Sequence, residues 1–88
     1  MKRKRLEELQ EIARCLTSSA LESYEIPETY RDLMILEIEF DGDYRIFELY
    51  VPGEMPKEAL VISRARIHSA TGLGQVEIFN LVRKAQTN

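Results

Sequence analysis

The sequence is poor in the residues from which small reactive sites and cross-links are built. It holds one cysteine, one histidine and no tryptophan. A single cysteine excludes an internal disulfide and a zinc site made from a cysteine cluster. A metal site needs three or four ligands, and beyond these two residues only scattered carboxylates remain to supply them. We therefore expect neither a metal nor a cofactor.

Long apolar runs and a large excess of one charge are also absent. No stretch approaches the roughly 20 apolar residues that cross a membrane. The cationic run at residues 2–5 lacks the apolar segment that follows it in a signal peptide, so it is expected to be a solvated terminus. The net charge of −3 argues against a broad contact with nucleic acid. We expect one cytoplasmic domain, residues 1–88, that binds neither membrane nor nucleic acid.

The middle of the chain, residues 33–51, has the pattern of a β-hairpin. Apolar residues alternate with Glu37 and Glu39, as in a strand with one buried face. Gly42 supplies the positive φ that a tight turn needs. A two-residue turn at Asp41-Gly42 or at Gly42-Asp43 brings the apolar residues of both strands to one face, which we predict to be the core. The two turns give different registers but the same faces. That predicted core face consists of Met34, Leu36, Ile38, Phe40, Phe47, Leu49 and Val51.

An amphipathic helix is predicted before the hairpin, over residues 2–24. Apolar side chains from Leu6 to Tyr24 recur at helical spacing and form one narrow stripe. Pro27 closes this segment, because the residue before a proline avoids helical angles. The start lacks a capping side chain and carries cations at the positive end of the helix dipole, so the first residues are expected to fray.

A second hairpin is predicted over residues 59–82, with a glycine-containing turn. Alternation turns Ile67 inward, and pairing it with Val76 continues the apolar layer. The same register brings Arg66 opposite Glu77, which is a favourable cross-strand pair. The inner side chains are nearly all apolar, so we expect a filled core rather than a ligand pocket between helix and sheet.

The predicted fold is a two-layer α+β fold, in which one helix packs on a four-stranded antiparallel meander. The polar tail, residues 83–88, is expected to be loose. The element order resembles the cystatin-like or monellin-like architecture, in which a curved sheet wraps a helix. This resemblance is one of topology alone, since no motif of either family is present, and it implies no activity.

The outer face of the predicted sheet is the most informative feature for function. It combines apolar and aromatic side chains with an acidic half from the first hairpin and a basic half from the second. Such patches mark interfaces, so we predict a homodimer, formed face to face or edge to edge, or a complex with another protein. The alternative is a strand side that is amphipathic without function, or one that the tail covers. The predicted interface residues are Ile35, Tyr44, Ile46, Tyr50, Ile62, Arg64, Arg66, Phe79 and Leu81.

Two functions remain open at this point. The first is a small non-enzymatic interaction domain in an adaptor, inhibitor or immunity-type role. The second is a small-ligand-binding or weakly catalytic domain with a polar site at Arg64, Arg66, His68 and Glu77, where His68 would be a general acid or base. A lone histidine at a strand end is more often a surface residue, which favours the first function, without catalytic residues or a small-molecule ligand.

Overall fold

The computed structural model describes residues 3–85, in which one main helix packs on a four-stranded antiparallel sheet. This arrangement confirms the predicted α+β fold. In chain order the elements are α1 (Leu6–Leu21), β1 (Tyr24–Glu25), α2 (Glu28–Arg31), β2 (Ile35–Asp41), β3 (Tyr44–Val51), a 3-10 turn (Pro56–Glu58), β4 (Leu60–His68), β5 (Gly74–Ile78) and β6 (Val82–Arg83). The four-stranded sheet is a meander in the order β2-β3-β4-β5, and β1 and β6 form a separate two-stranded sheet.

Helix α1 is shorter than the predicted helix at both ends. It begins after Arg5, whose backbone is extended and whose side chain makes no capping hydrogen bond, in agreement with the predicted absence of a cap. The predicted start at Lys2 lies outside the described residues. At the other end the helix stops at Leu21, because Tyr24 leaves it to pair with Arg83 of β6.

The residues before α1 are tied to the sheet. The backbone N–H of Lys4 donates to the carbonyl of Ser69 at 2.8 Å, and the Arg3 guanidinium pairs with the Asp43 carboxylate at 2.8 Å. The Ser69 N–H in turn donates to the Asp43 carbonyl at 2.8 Å. Arg3 and Lys4 therefore bind to the turns of both hairpins, and the fraying expected for this part of the terminus does not describe them.

The first hairpin has the predicted faces, and its register is the second of the two that the sequence allowed. Ile38 lies opposite Phe47, and the two strands are joined by a two-residue turn at Gly42 and Asp43. Gly42 has φ of 58°. Glycine at the first central position is what a type II′ turn requires, and this turn matches the twist of the strands that it joins. The local sequence was therefore sufficient to define the faces of both strands, and the structure selected the turn.

A β-bulge interrupts the pairing of β3 with β4. Leu49 lies opposite Ser63 and Tyr50 lies opposite Val61, so Ile62 has no counterpart on β3. Ile62 is fully buried, at 0% exposure, whereas Val61 shares a surface depression with Tyr50. Strict alternation predicted Val61 inside and Ile62 outside. Both placements are wrong, because the extra residue inverts the alternation at this end of β4.

The register of the second hairpin differs from the predicted one by two residues, so the connection between its strands is shorter. Ile67 lies opposite Gly74 and not opposite Val76. A Cβ at Gly74 would lie 2.3 Å from Cδ1 of Ile67, so the close approach of the strands depends on glycine. The shift by two residues preserves which side chains face inward, but it changes every cross-strand pair.

Strand β5 ends earlier than predicted, at Ile78. Asn80 has φ of 57°, and its Nδ2 donates to the carbonyl of Val61 at 2.8 Å. This left-handed residue breaks the strand, after which Val82 and Arg83 pair with β1. The predicted loose tail is thus paired at Arg83, while residues 86–88 lie outside the described part of the chain.

The helix covers only half of the sheet. It packs on β4 and β5 and reaches the margin of β3. Strand β2 is paired with β3 on the far side, beyond the helix. A helix is about 10 Å wide and strands are about 4.8 Å apart, so one helix covers roughly two strands. Leu36 and Phe40, predicted to be core residues, are 40% and 66% exposed. The core cluster between α1 and the sheet consists of Leu9, Ala13, Phe47, Ala65 and Ile67. Val51 and Ile62 are also buried.

Candidate interaction surfaces

The outer face of the sheet is the side opposite α1. The described residues measure only 17 Å along the shortest axis, which suits one helix layer on one sheet layer. Side chains on this face therefore have no second layer to pack against within residues 3–85. Their surroundings come from neighbours on the same face, and those neighbours are mainly arginines.

Arg64 lies at the centre of the outer face. Its Nε donates to the Glu48 carboxylate at 2.9 Å, and its guanidinium lies 5.5 Å from the centre of the Phe79 ring. Glu77 lies opposite Arg64 and not opposite Arg66, so the predicted Arg66–Glu77 pair is not formed. The arginine therefore joins an acidic side chain of β3 to an aromatic side chain that follows β5.

Arg66 lies at the hairpin end of the same face. Its guanidinium is 4.2 Å from the centre of the Tyr44 ring and 3.6 Å from the Asp41 carboxylate. The His68 ring packs edge-on against Tyr44, with 5.1 Å between ring centres. Guanidinium groups thus cover the aromatic rings of this face, which leaves those rings half-buried instead of open.

The predicted polar site is divided into two pairs of residues. Arg66 and His68 line one surface depression together with Tyr44, whereas Glu77 lies opposite Arg64. Nδ1 of His68 accepts hydrogen bonds from the backbone N–H groups of Ala70 at 3.2 Å and Thr71 at 3.3 Å. Glu77 lies beside Arg64, four residues along β4 from His68, which is about 13 Å in a strand. No carboxylate pairs with His68 in the part of the chain described. Its ring nitrogen holds the turn after β4, which is a structural role.

The remaining predicted interface residues differ in their exposure. Ile35 is 43% exposed at the start of β2 and lies opposite the half-buried Tyr50. Ile46 is half-buried in β3. Ile62 is fully buried and cannot contact a partner, so its assignment to the interface is wrong. Leu81 follows the break at the end of β5, so the sheet does not position it on the outer face.

Sequence reasoning missed the edge formed by β2. This strand is the outermost of the sheet, and six of its seven residues are exposed. Several large apolar side chains remain exposed on it or just before it, namely Leu33, Ile35, Leu36 and Phe40. The signal was present in the alternation of apolar and acidic residues, but the sequence does not say which strand lies beyond the reach of the helix.

A groove of about 470 Å³ separates α1 from the inner side of β2 and β3. The filled core that we predicted is therefore present beneath α1 but not beside it. On the groove rim Nε of Arg14 donates to the Glu11 carboxylate at 2.9 Å, which lowers the pKa of that carboxyl. The apolar floor consists of Ala13, Leu21, Leu36, Phe47 and Leu49.

Two other classes of site are absent from residues 3–85. No group of three or more histidine, cysteine, aspartate or glutamate side chains is arranged to hold a metal ion there. Nor does that region contain a helix with the length and apolar character needed to cross a membrane. The only cysteine, Cys15, is exposed on α1. Comparisons with protein-family models, curated proteins and solved structures gave no significant match to this chain.

Proposed function

We propose that this protein is a small non-enzymatic interaction domain that forms a homodimer through the outer face of its sheet. One observation carries the proposal: the outer face has no covering layer within residues 3–85, yet it holds aromatic rings under arginine side chains. An adaptor, inhibitor or immunity-type role fits such a domain.

The chemistry of this face supports a protein partner. Tyrosine, phenylalanine and arginine are enriched where interfaces are fully buried, and their truncation often has a large effect on binding. Tyr44 and Phe79 supply rings, and Arg64 and Arg66 supply planar cations that already lie close to those rings. Docking a flat partner would remove the remaining exposed parts of these rings from water.

The charges favour a second copy as the partner. The acidic Glu48 lies on β3, whereas Arg64 and Arg66 lie on β4. A two-fold axis near the boundary between these strands would place the acidic half of one copy over the basic half of the other. Each arginine would then face a carboxylate in its own chain and one in the partner chain.

The test is the solution mass, measured by light scattering on a sizing column, of the wild type, Phe79→Glu and Tyr50→Glu. The wild type is expected at twice the 10.2 kDa chain mass and both variants at the chain mass, because a buried carboxylate without a partner is costly. Circular dichroism checks that each variant is folded.

Val82→Glu is the matched control, since it places the same charge on β6, outside the four-stranded sheet. It should remain dimeric. A wild-type monomer, or a Phe79→Glu variant that keeps the dimer mass, would contradict the proposal.

A further inference from the structure

The free edge of β2 presents backbone groups at every second residue. Asp41 and Tyr44 flank the two-residue turn, so they form a hydrogen-bonded pair. The pattern alternates along an antiparallel strand. Leu36, Ile38 and Phe40 therefore direct their N–H and C=O groups away from β3. No described element of the chain pairs with this edge.

The two sides of this edge differ sharply in polarity. On the helix side Leu36, which lines the groove beside α1, is 40% exposed. Phe40, whose ring lies 4.3 Å from the Arg45 guanidinium, is 66% exposed. On the outer side lie Glu37, Glu39 and Asp41, all exposed. Within residues 3–85 neither Glu37 nor Glu39 forms an ion pair. A strand added here would meet apolar surface on one side and unpaired carboxylates on the other.

A second copy of β2 does not suit this edge. Antiparallel pairing places residues of the same side opposite one another. Centred on Ile38, the register that pairs the whole of β2, it sets Glu37 against Glu39 of the other copy. Centred on either glutamate, it sets that residue against itself. A register centred on Leu36 avoids these contacts but pairs only residues 35–37. Like charges directly opposite destabilise a strand pair. The acidic residues thus disfavour pairing of two β2 edges, as charged residues do on many edge strands.

The other free edge of the sheet, β5, does not suit β2 either. Its exposed side chains on the outer side are Gln75 and Glu77, so β5 of another copy has no basic residue to pair with Glu37 or Glu39, and Glu77 would repel them where it lies opposite. The occupant with complementary charge is a strand from a different protein, with basic residues at alternate positions.

We propose that the β2 edge binds an extended segment of another protein in which apolar residues alternate with lysine or arginine. Backbone hydrogen bonds to Leu36, Ile38 and Phe40 supply affinity, as in other complexes formed by strand addition. The apolar side chains of the segment extend the floor of the groove, and its basic side chains pair with Glu37 and Glu39. This inference does not depend on the homodimer, because the homodimer uses the face of the sheet and not its edge.

The probe is a capped peptide of alternating valine and lysine, matched in length to the 7 residues of β2. Binding is followed by NMR on labelled protein. We expect chemical-shift changes along β2 and slower hydrogen exchange at the amides of Leu36, Ile38 and Phe40. A peptide with glutamate in place of lysine should bind at least about tenfold more weakly, since each cross-strand charge pair changes sign.

Two N-methylated versions of the lysine peptide test the backbone contact. One carries methyl groups on the amides that face β2, and the other on the amides that point away from it. Only the peptide methylated on the amides that face β2 should lose binding, because only those N–H groups donate hydrogen bonds to the carbonyl groups of the β2 edge. Equal loss in both versions, or equal retention, would contradict strand addition.

The charge argument is tested by the double variant Glu37→Lys with Glu39→Lys. It should bind the glutamate peptide better than the lysine peptide, which reverses the wild-type preference. Glu22→Lys with Glu28→Lys is the matched control, since both residues are exposed and lie outside the four-stranded sheet. It should keep the wild-type preference.

All measurements are repeated in Phe79→Glu, which separates this proposal from the homodimer. Unchanged peptide binding in that variant is the expected result, whatever its solution mass. The proposal is overturned if the wild type fails to bind the lysine peptide at millimolar concentration. It is also overturned if the chemical-shift changes are confined to residues that line the groove. The same holds if the amides of Leu36, Ile38 and Phe40 are already protected from exchange by a second copy in the absence of peptide.

Discussion

Two glycines determine the hairpins at the residue scale, each for a different reason. Gly42 has φ of 58°, and a Cβ placed there would meet no atom within 4 Å. Gly74 has ordinary backbone angles, but a Cβ would lie 2.7 Å from the carbonyl oxygen of Arg66. Gly42 is therefore needed for its conformation, and Gly74 is needed for the space that it leaves.

These reasons predict different losses of stability. Gly42→Ala should lower the free energy of unfolding by about 1 kcal/mol, the cost of a left-handed residue with a side chain. Gly74→Ala should lower it by about 3 kcal/mol, because the backbone of β4 must move to admit the methyl group. Urea denaturation of both variants measures the difference, and an equal or reversed order would contradict it.

The same scale explains why the outer face is not simply apolar. Arg64 and Arg66 have their guanidinium groups over Phe79 and Tyr44, so each cation covers a ring while its polar edge remains available. His68 accepts two backbone hydrogen bonds and has a structural role. The sequence identified these residue types, but their partners depend on the observed register.

Strand β2 is the informative element. It pairs on one side only, with Leu36, Ile38 and Phe40 on the face toward the helix layer. Its acidic residues lie on the other face, together with Ile35. Its backbone groups alternate in the same way, between those bonded to β3 and those that point outward. An edge strand with this exposure is open to solvent or to an added strand.

Hydrogen exchange should reveal this alternation in the protein alone. The amides of Glu37 and Glu39 are bonded to β3 and exchange only after local opening, whereas those of Leu36, Ile38 and Phe40 face solvent. We expect the second group to exchange at least about tenfold faster, measured by NMR. Uniform protection along β2 would show that the edge is covered.

For the whole molecule, the main feature is that a single helix packs on a four-stranded sheet and covers only part of it. Leu9 of α1 is 1% exposed, within the core formed with β3 and β4, while Leu36 on β2 is 40% exposed. The two leucines face the same space between helix and sheet. They differ because the helix lies over one half of that space and leaves the groove over the other.

Truncating the two leucines measures this asymmetry. Leu9→Ala should lower the free energy of unfolding by about 3 kcal/mol, since it leaves a cavity in the core. Leu36→Ala should lower it by less than about 1 kcal/mol, since no layer packs over that side chain. Similar losses in the two variants would indicate that the groove is closed in solution.

Some features of this protein follow from the sequence by itself. The α+β fold and the faces of the first hairpin depend on local information, namely the spacing of apolar residues and the glycine at the turn. The same alternation identified most side chains of the outer face, including Tyr44, Arg64 and Phe79.

Only the tertiary structure decided the rest, because it depends on contacts between distant elements. The bulge that buries Ile62 arises where β3 meets β4, and the register of Glu77 depends on how closely Gly74 approaches Ile67. The exposure of Leu36 follows from the position of α1 over the sheet. A one-dimensional pattern can show that a strand has an apolar side, but the width of the helix decides how much of that side is covered.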